Sequence, residues 1–214
     1  MFHLIIAVLF LLVTGVLLPW LAFLSTKQPP IKAEYQTTMF IQSIVTQFIL
    51  GGIGITTWHA NKLTILWLGK LEIADGLIVI LTLGVAFLLQ WLNFKFLPRS
   101  ESDALFNTSK FIQKSLKQVV YLSAATSEEI VYRGVMFALL FNYTDSSLVS
   151  SVLVASLFAL AHLKQGAKGL LFSFLISLLL QICLAQTGIL VTVLTHYIIN
   201  LIPDLLTTQS KRNQ

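Results

Sequence analysis

Apolar runs of about twenty residues, each long enough to cross the hydrocarbon core of a bilayer, follow one another along this chain. The first extends from Leu4 to Leu24 and stops at Ser25-Thr26-Lys27-Gln28-Pro29-Pro30, where two prolines forbid further helix. It has no basic leader and no small-x-small cleavage site before Lys27, so it reads as a retained span rather than a signal peptide. Further runs at about residues 37 to 58, 76 to 94, 118 to 141, 146 to 162, 167 to 186 and 188 to 206 raise the count to about seven. The expected fold is all-α, a polytopic transmembrane helical bundle. With 56% hydrophobic residues, 11% charged residues and a mean hydropathy of +0.84, the 214 residues leave no room for a separate soluble domain.

The second run carries Gln42, Ser43, Thr46 and Gln47 at helical spacings, which suggests a face packed on other helices. Its Gly51-Gly52-Ile53-Gly54 permits close helix approach or a kink. Between about residues 95 and 117 lies the longest polar stretch, expected to be a surface loop plus an amphipathic segment. Residues 1–117 therefore form an N-terminal set of helices plus this loop, 118–206 a second set joined by very short turns, and 207–214 a polar tail. Asp75, Pro203 and Asp204 read as helix-end residues, and His3 and His59 as interfacial ones.

The 14 Lys and Arg exceed the 9 Asp and Glu, but they are spread among loops, which argues for membrane topology and against a nucleic-acid partner. One face collects Lys27, Lys32, Lys95, Arg99, Lys110, Lys114, Lys117, Lys164, Lys168, Lys211 and Arg212, whereas the other holds Lys62 and Lys70. Cytoplasmic loops hold the basic excess, so the N-terminus is expected outside and the C-terminus in the cytoplasm. The single cysteine, Cys183, sits in an apolar run and excludes both an intramolecular disulfide and a cysteine-based zinc cluster.

Charged side chains inside a span cost about 2.5–3.5 kcal/mol each on insertion scales, so their presence there demands a reason. They cluster in the C-terminal half. The fourth run contains Ser127-Glu128-Glu129-Ile130-Val131-Tyr132-Arg133, the fifth ends in Phe158-Ala159-Leu160-Ala161-His162, and the seventh contains His196-Tyr197-Ile198-Ile199-Asn200. Glu129 and Arg133 are four residues apart and share a helix face in the orientation that favours an ion pair. Glu128 points about 100° away around the helix and needs another partner. Phe158 lies one turn before His162, and His196 one turn before Asn200. A carboxylate and an imidazole sharing a water can activate it for attack on a peptide carbonyl, while a second imidazole and a carboxamide can donate to the oxyanion.

Glu-Glu-x-x-x-Arg, Phe-x-x-x-His and His-x-x-x-Asn, in this order on separate helices, resemble the three motifs of the CAAX prenyl endopeptidases and bacterial Abi proteins, together called the CPBP family. The resemblance covers roughly residues 118 to 206. It implies an intramembrane endopeptidase in which Glu128 and His162 activate water, His196 and Asn200 form the oxyanion site, and Glu129, Arg133 and Phe158 give structural support. It implies a membrane-associated peptide or protein as substrate; the apolar runs make the lipid bilayer the other partner, and the lack of a targeting presequence or lumenal domain fits a bacterial inner membrane. No cofactor is expected on this reading. An older view of the family as metalloproteases would instead place zinc on Glu128, His162 and His196. The other class of function is a non-catalytic immunity or scaffold protein that keeps the protease fold. A small ion-coupled carrier would show internal repeats, which the chain lacks.

Overall fold

The computed structural model describes residues 7–10, 12–17, 36–64, 73–96 and 111–212. Within them every regular element is helical. The first span enters as the helical residues 7–10 and a π turn at Val13–Leu17. Its remainder, with His3, Pro29 and Pro30, lies outside the described residues, as do the stretch 97–110 and the loops bearing Lys27, Lys32 and Lys70. Seven α-helices follow: α1 at Gln36–Asn61, α2 at Ile73–Phe96, α3 at Phe111–Glu128, α4 at Phe137–Thr144, α5 at Ser147–Ala161, α6 at Gly166–Thr187 and α7 at Ile189–Arg212. A π segment, Glu129–Met136, joins α3 to α4 without a break, so the expected fourth span is one composite rod.

The expected helix order and short connections hold. Asp145 in the left-handed region (φ 50°) and Ser146, whose side chain accepts from the Val149 amide, turn α4 into α5. A 3-10 turn, Leu163–Gln165, joins α5 to α6. A single residue, Gly188, joins α6 to α7 at φ 85°, a conformation that side-chain-bearing residues rarely adopt. Such tight links force consecutive helices to run antiparallel. The thiol of Cys183 is buried and unpaired in a disulfide, as a packing residue would be.

Three described helical stretches are long and apolar enough to cross a membrane: Thr37–Asn61, Ile73–Leu92 and Gly166–Thr187. Ser147–Ala161 and Ile189–Asp204 are apolar but shorter. The exterior matches that reading, because Phe48, Ile73, Ile80, Leu81 and Leu148 are all exposed. The interior is unusually hydroxyl-rich: Thr57, Thr82, Ser150, Ser173, Ser177, Thr187, Thr192 and Thr195 are buried. Lipid removes the hydrophobic incentive to bury large side chains, so small and polar residues let helices approach and bond.

Two apolar clusters hold the bundle. One gathers Ala7, Phe10, Leu63, Val131, Tyr132, Val135, Met136, Leu139, Val154 and Phe158 around the π segment. The other gathers Ala86, Ile176, Leu180, Ile199, Ile202 and Leu206 from α2, α6 and α7. α1 lies along α3 and the π segment, and its glycines set the spacing: a Cβ on Gly54 would stand 3.0 Å from Ile130 Cγ2. The close approach allowed by Gly51-Gly52-Ile53-Gly54 is thus realised at Gly51 and Gly54, while Gly52 faces open space.

One expectation is corrected. Pro203 and Asp204 do not end the last helix, which runs on to Arg212 with Pro203 inside it. Proline lacks the N–H that the Ile199 carbonyl would otherwise accept. Gln90 of α2 supplies the replacement, its Nε2 donating to Ile199 O at 3.1 Å. Asp204 pairs with Lys117 at 2.5 Å and fastens α7 to α3, where Tyr197 also donates to Gln118 at 3.0 Å.

Candidate active site

The site is built around the π segment and the residue before it. A π turn widens the backbone spiral, and such turns recur at functional sites. Here it turns Glu129 and Arg133 into the protein while Glu128 borders a cavity of about 200 Å³. That cavity is lined by Gln47, Leu50, Ser127, Glu128, Val131, Tyr132, Ala161 and His162. Glu128 and His162, residues 34 positions apart and expected to share a water, therefore border one space.

His162 is the residue at which α5 ends, with φ −97° and ψ 13°. Its Nδ1 lies 2.8 Å from the Phe158 carbonyl, an atom that can only accept. Nδ1 must therefore carry the hydrogen, and in the neutral ring Nε2 is the basic nitrogen. The Phe158 ring packs against it, tilted by 37° with 4.4 Å between centroids, the contact expected from the one-turn spacing. Phe158 also meets Tyr132 edge-on at 5.1 Å, His196 at 6.1 Å, and the Arg133 guanidinium at 4.6 Å from its centroid. It is the common wall of three motif residues.

Glu129 and Arg133 form the expected ion pair at 3.1 Å, both side chains fully buried. Two charges out of water require further bonds, and other helices provide them. Arg133 Nη2 donates to Ser177 Oγ at 2.9 Å, tying the π segment to α6. Glu129 Oε1 accepts from His196 Nδ1 at 2.6 Å, tying it to α7. Glu129 is thus more than a structural ion-pair partner, because it fixes the ring orientation of His196. The other ring nitrogen, Nε2, then stands 3.7 Å from Glu128 Oε2, close enough for strong coulombic coupling and too far for a hydrogen bond. Glu129 Oε2 and Arg133 Nε make no hydrogen bond among the described residues.

The structure thus brings Glu128, His162 and His196 toward one another and joins Glu129, Arg133 and Phe158 behind them. Asn200 is half-buried, one turn beyond His196 on α7, and is not part of the cavity wall. Glu128, His162 and His196 do not form a metal-ligating cluster, and no group of three His, Cys, Asp or Glu side chains does so among the described residues. Sequence reasoning did not find Ser177, since a serine in an apolar helix carries no signal of its partner. Gln47 did leave a trace: of the polar face expected on α1, Gln42 and Thr46 point outward, whereas Gln47 meets Ser127.

All three motifs fall within residues 116–202, and this segment matches the family model described as type II CAAX prenyl endopeptidase Rce1-like. This segment, 116–202, is similar to the CAAX-protease, or CPBP, family. No curated protein and no solved structure matches the chain. The matched segment starts near the beginning of α3 and ends within α7, so it contains the π segment and every motif residue. α1 and α2 lie outside it, although α1 contributes Gln47 and Leu50 to the cavity. The apolar helices and the family match of this segment together support an integral membrane protein.

Proposed function

We propose that this protein is an intramembrane endopeptidase that hydrolyses a peptide bond of a membrane-associated peptide or protein, using water activated by Glu128 and His162. The observation that carries this reading is that Glu128 and His162 border one cavity while His196, oriented by Glu129, stands against Glu128. In the reaction Glu128 takes a proton from the water, whose oxygen attacks the carbonyl carbon; His162 Nε2 orients that water. The C–N bond then breaks and the proton passes to the leaving nitrogen, giving one acid and one amine. Nδ1 of His196 is occupied by Glu129, so a second proton on that ring sits on Nε2, the atom placed to donate to the oxyanion. Asn200, on the same face of α7, would be a second donor.

The site faces the basic side of the chain, since Lys164 and Lys168 follow His162 closely. By the positive-inside rule that side is cytoplasmic, with the N-terminus outside, as in a bacterial inner membrane. The test is cleavage of a membrane-peptide library by purified protein in liposomes, comparing wild type with Glu128→Ala and Glu129→Ala, before and after phenanthroline. Glu128-dependent cleavage that survives the chelator supports metal-free glutamate chemistry. Chelator loss restored by zinc would put the ion on Glu128, His162 and His196. Absence of any Glu128-dependent cleavage from folded protein would replace this reading with a non-catalytic immunity or scaffold role.

A further inference from the structure

Resting on that reading, we infer that Gln47, a residue of α1 outside the family segment, donates a hydrogen bond from its carboxamide to the scissile carbonyl of a peptide substrate. Two observations place it there. Gln47 lines the same cavity as Glu128 and His162, and its Oε1 accepts from Ser127 Oγ, the residue next to Glu128. The Ser127 hydroxyl has two acceptors within reach, Gln47 Oε1 and the Ala124 carbonyl at 3.2 Å. The carbonyl end of the carboxamide faces Ser127, and the Nε2 end is turned away. Among the described residues Nε2 has no hydrogen-bond partner, and its two N–H donors remain for a ligand.

The backbone explains why a residue so far away in sequence can act here. Gln47, Leu50, Gly51 and Gly54 fall on one face of α1 at spacings of three and four. A Cβ on Gly51 would lie 3.6 Å from Ser127 Cβ, and one on Gly54 within 3.0 Å of Ile130 Cγ2. The two glycines draw α1 onto the π rod, and one turn earlier the same face presents Gln47 to the cavity that Glu128 borders. A neutral donor suits this position: it stabilises a developing oxyanion without adding a charge that competes for Glu128. Gln47 is the carboxamide among the residues that line this cavity.

The experiment uses full-length protein in liposomes and a peptide that wild type cleaves in the library above, with kcat and KM measured for Gln47→Leu, Gln47→Glu, Ser127→Ala and Glu128→Gln. Gln47→Glu keeps an acceptor for Ser127 but removes the N–H donor. Ser127→Ala keeps the donor and removes only its anchor. Loss of an oxyanion donor lowers kcat about 10²–10³-fold with little change in KM. Both Gln47 variants should show that loss, and Ser127→Ala a loss of no more than about tenfold in kcat. A Ser127→Ala effect equal to that of Gln47→Leu, or Gln47 variants that change KM alone, would overturn the assignment in favour of helix packing or ground-state binding. Glu128-dependent cleavage with unchanged kcat in both Gln47 variants would overturn it while leaving the protease reading in place. Absence of Glu128-dependent cleavage would overturn both. Thermal unfolding of each variant separates loss of donor from loss of fold, and Gln47→Glu decides the matter if Gln47→Leu does not fold.

Discussion

Glu128 and Glu129 are neighbours in sequence, yet the two sides of the rod they occupy are built differently. On one side Glu128, Tyr132 and His162 line a cavity with few bonds between them. On the other, Glu129, Arg133, Ser177 and His196 are closed into a buried network that spans the π segment, α6 and α7. On the proposed reading the difference separates tasks: the open side keeps its carboxylate available for chemistry, and the sealed side fixes the geometry of the groups that chemistry needs. His196 belongs to both, bonded to Glu129 through one nitrogen and facing Glu128 through the other.

The sharpest way to break this contrast is Arg133→Ala. It leaves Glu129 as an uncompensated buried charge, so unfolding in detergent should show a loss of about 3–5 kcal/mol together with loss of cleavage. Full stability in this variant would refute the sealed side. Glu128→Gln should do the opposite, lowering kcat about 10²–10⁴-fold while thermal unfolding stays close to wild type. Should it unfold as readily as Arg133→Ala, the open side would be structural too. Ser177→Ala removes one bond to a buried cation and should cost about 1.5–3 kcal/mol in the same unfolding assay. A double-mutant cycle with Arg133 would assign that cost to the pair. Smallest of all is Asp204→Asn: its side chain is 32% exposed, so loss of the Lys117 pair should cost less than about 1 kcal/mol and leave kcat unaltered.

How much of this could be read beforehand depended on sequence separation. The helices were legible because hydropathy runs are local. The Glu129–Arg133 pair and the Phe158–His162 contact were legible because residues four apart on a helix are neighbours on one face. His196 with Glu129, and Arg133 with Ser177, join residues 67 and 44 positions apart, and nothing in either segment names its partner. The π turn has no sequence signature, since it depends on what the surrounding helices reward. Pro203 misled for a related reason: a proline normally stops a helix, but here the orphaned carbonyl finds Gln90 on another helix. The wrong inference was about a bond that only tertiary packing could supply.

The shortness of α5 bears on how such a reaction is fed. Its 15 residues extend only about 22 Å at 1.5 Å per residue, less than the about 30 Å of a hydrocarbon core. A bilayer meets a short apolar segment by thinning around it. His162 stands at the end of that segment, so thinning there would lower the aqueous boundary toward the ring proposed to orient the nucleophile. Hydrolysis in lipid needs a supply of its second reactant, and hydrophobic mismatch at one helix would provide the inlet.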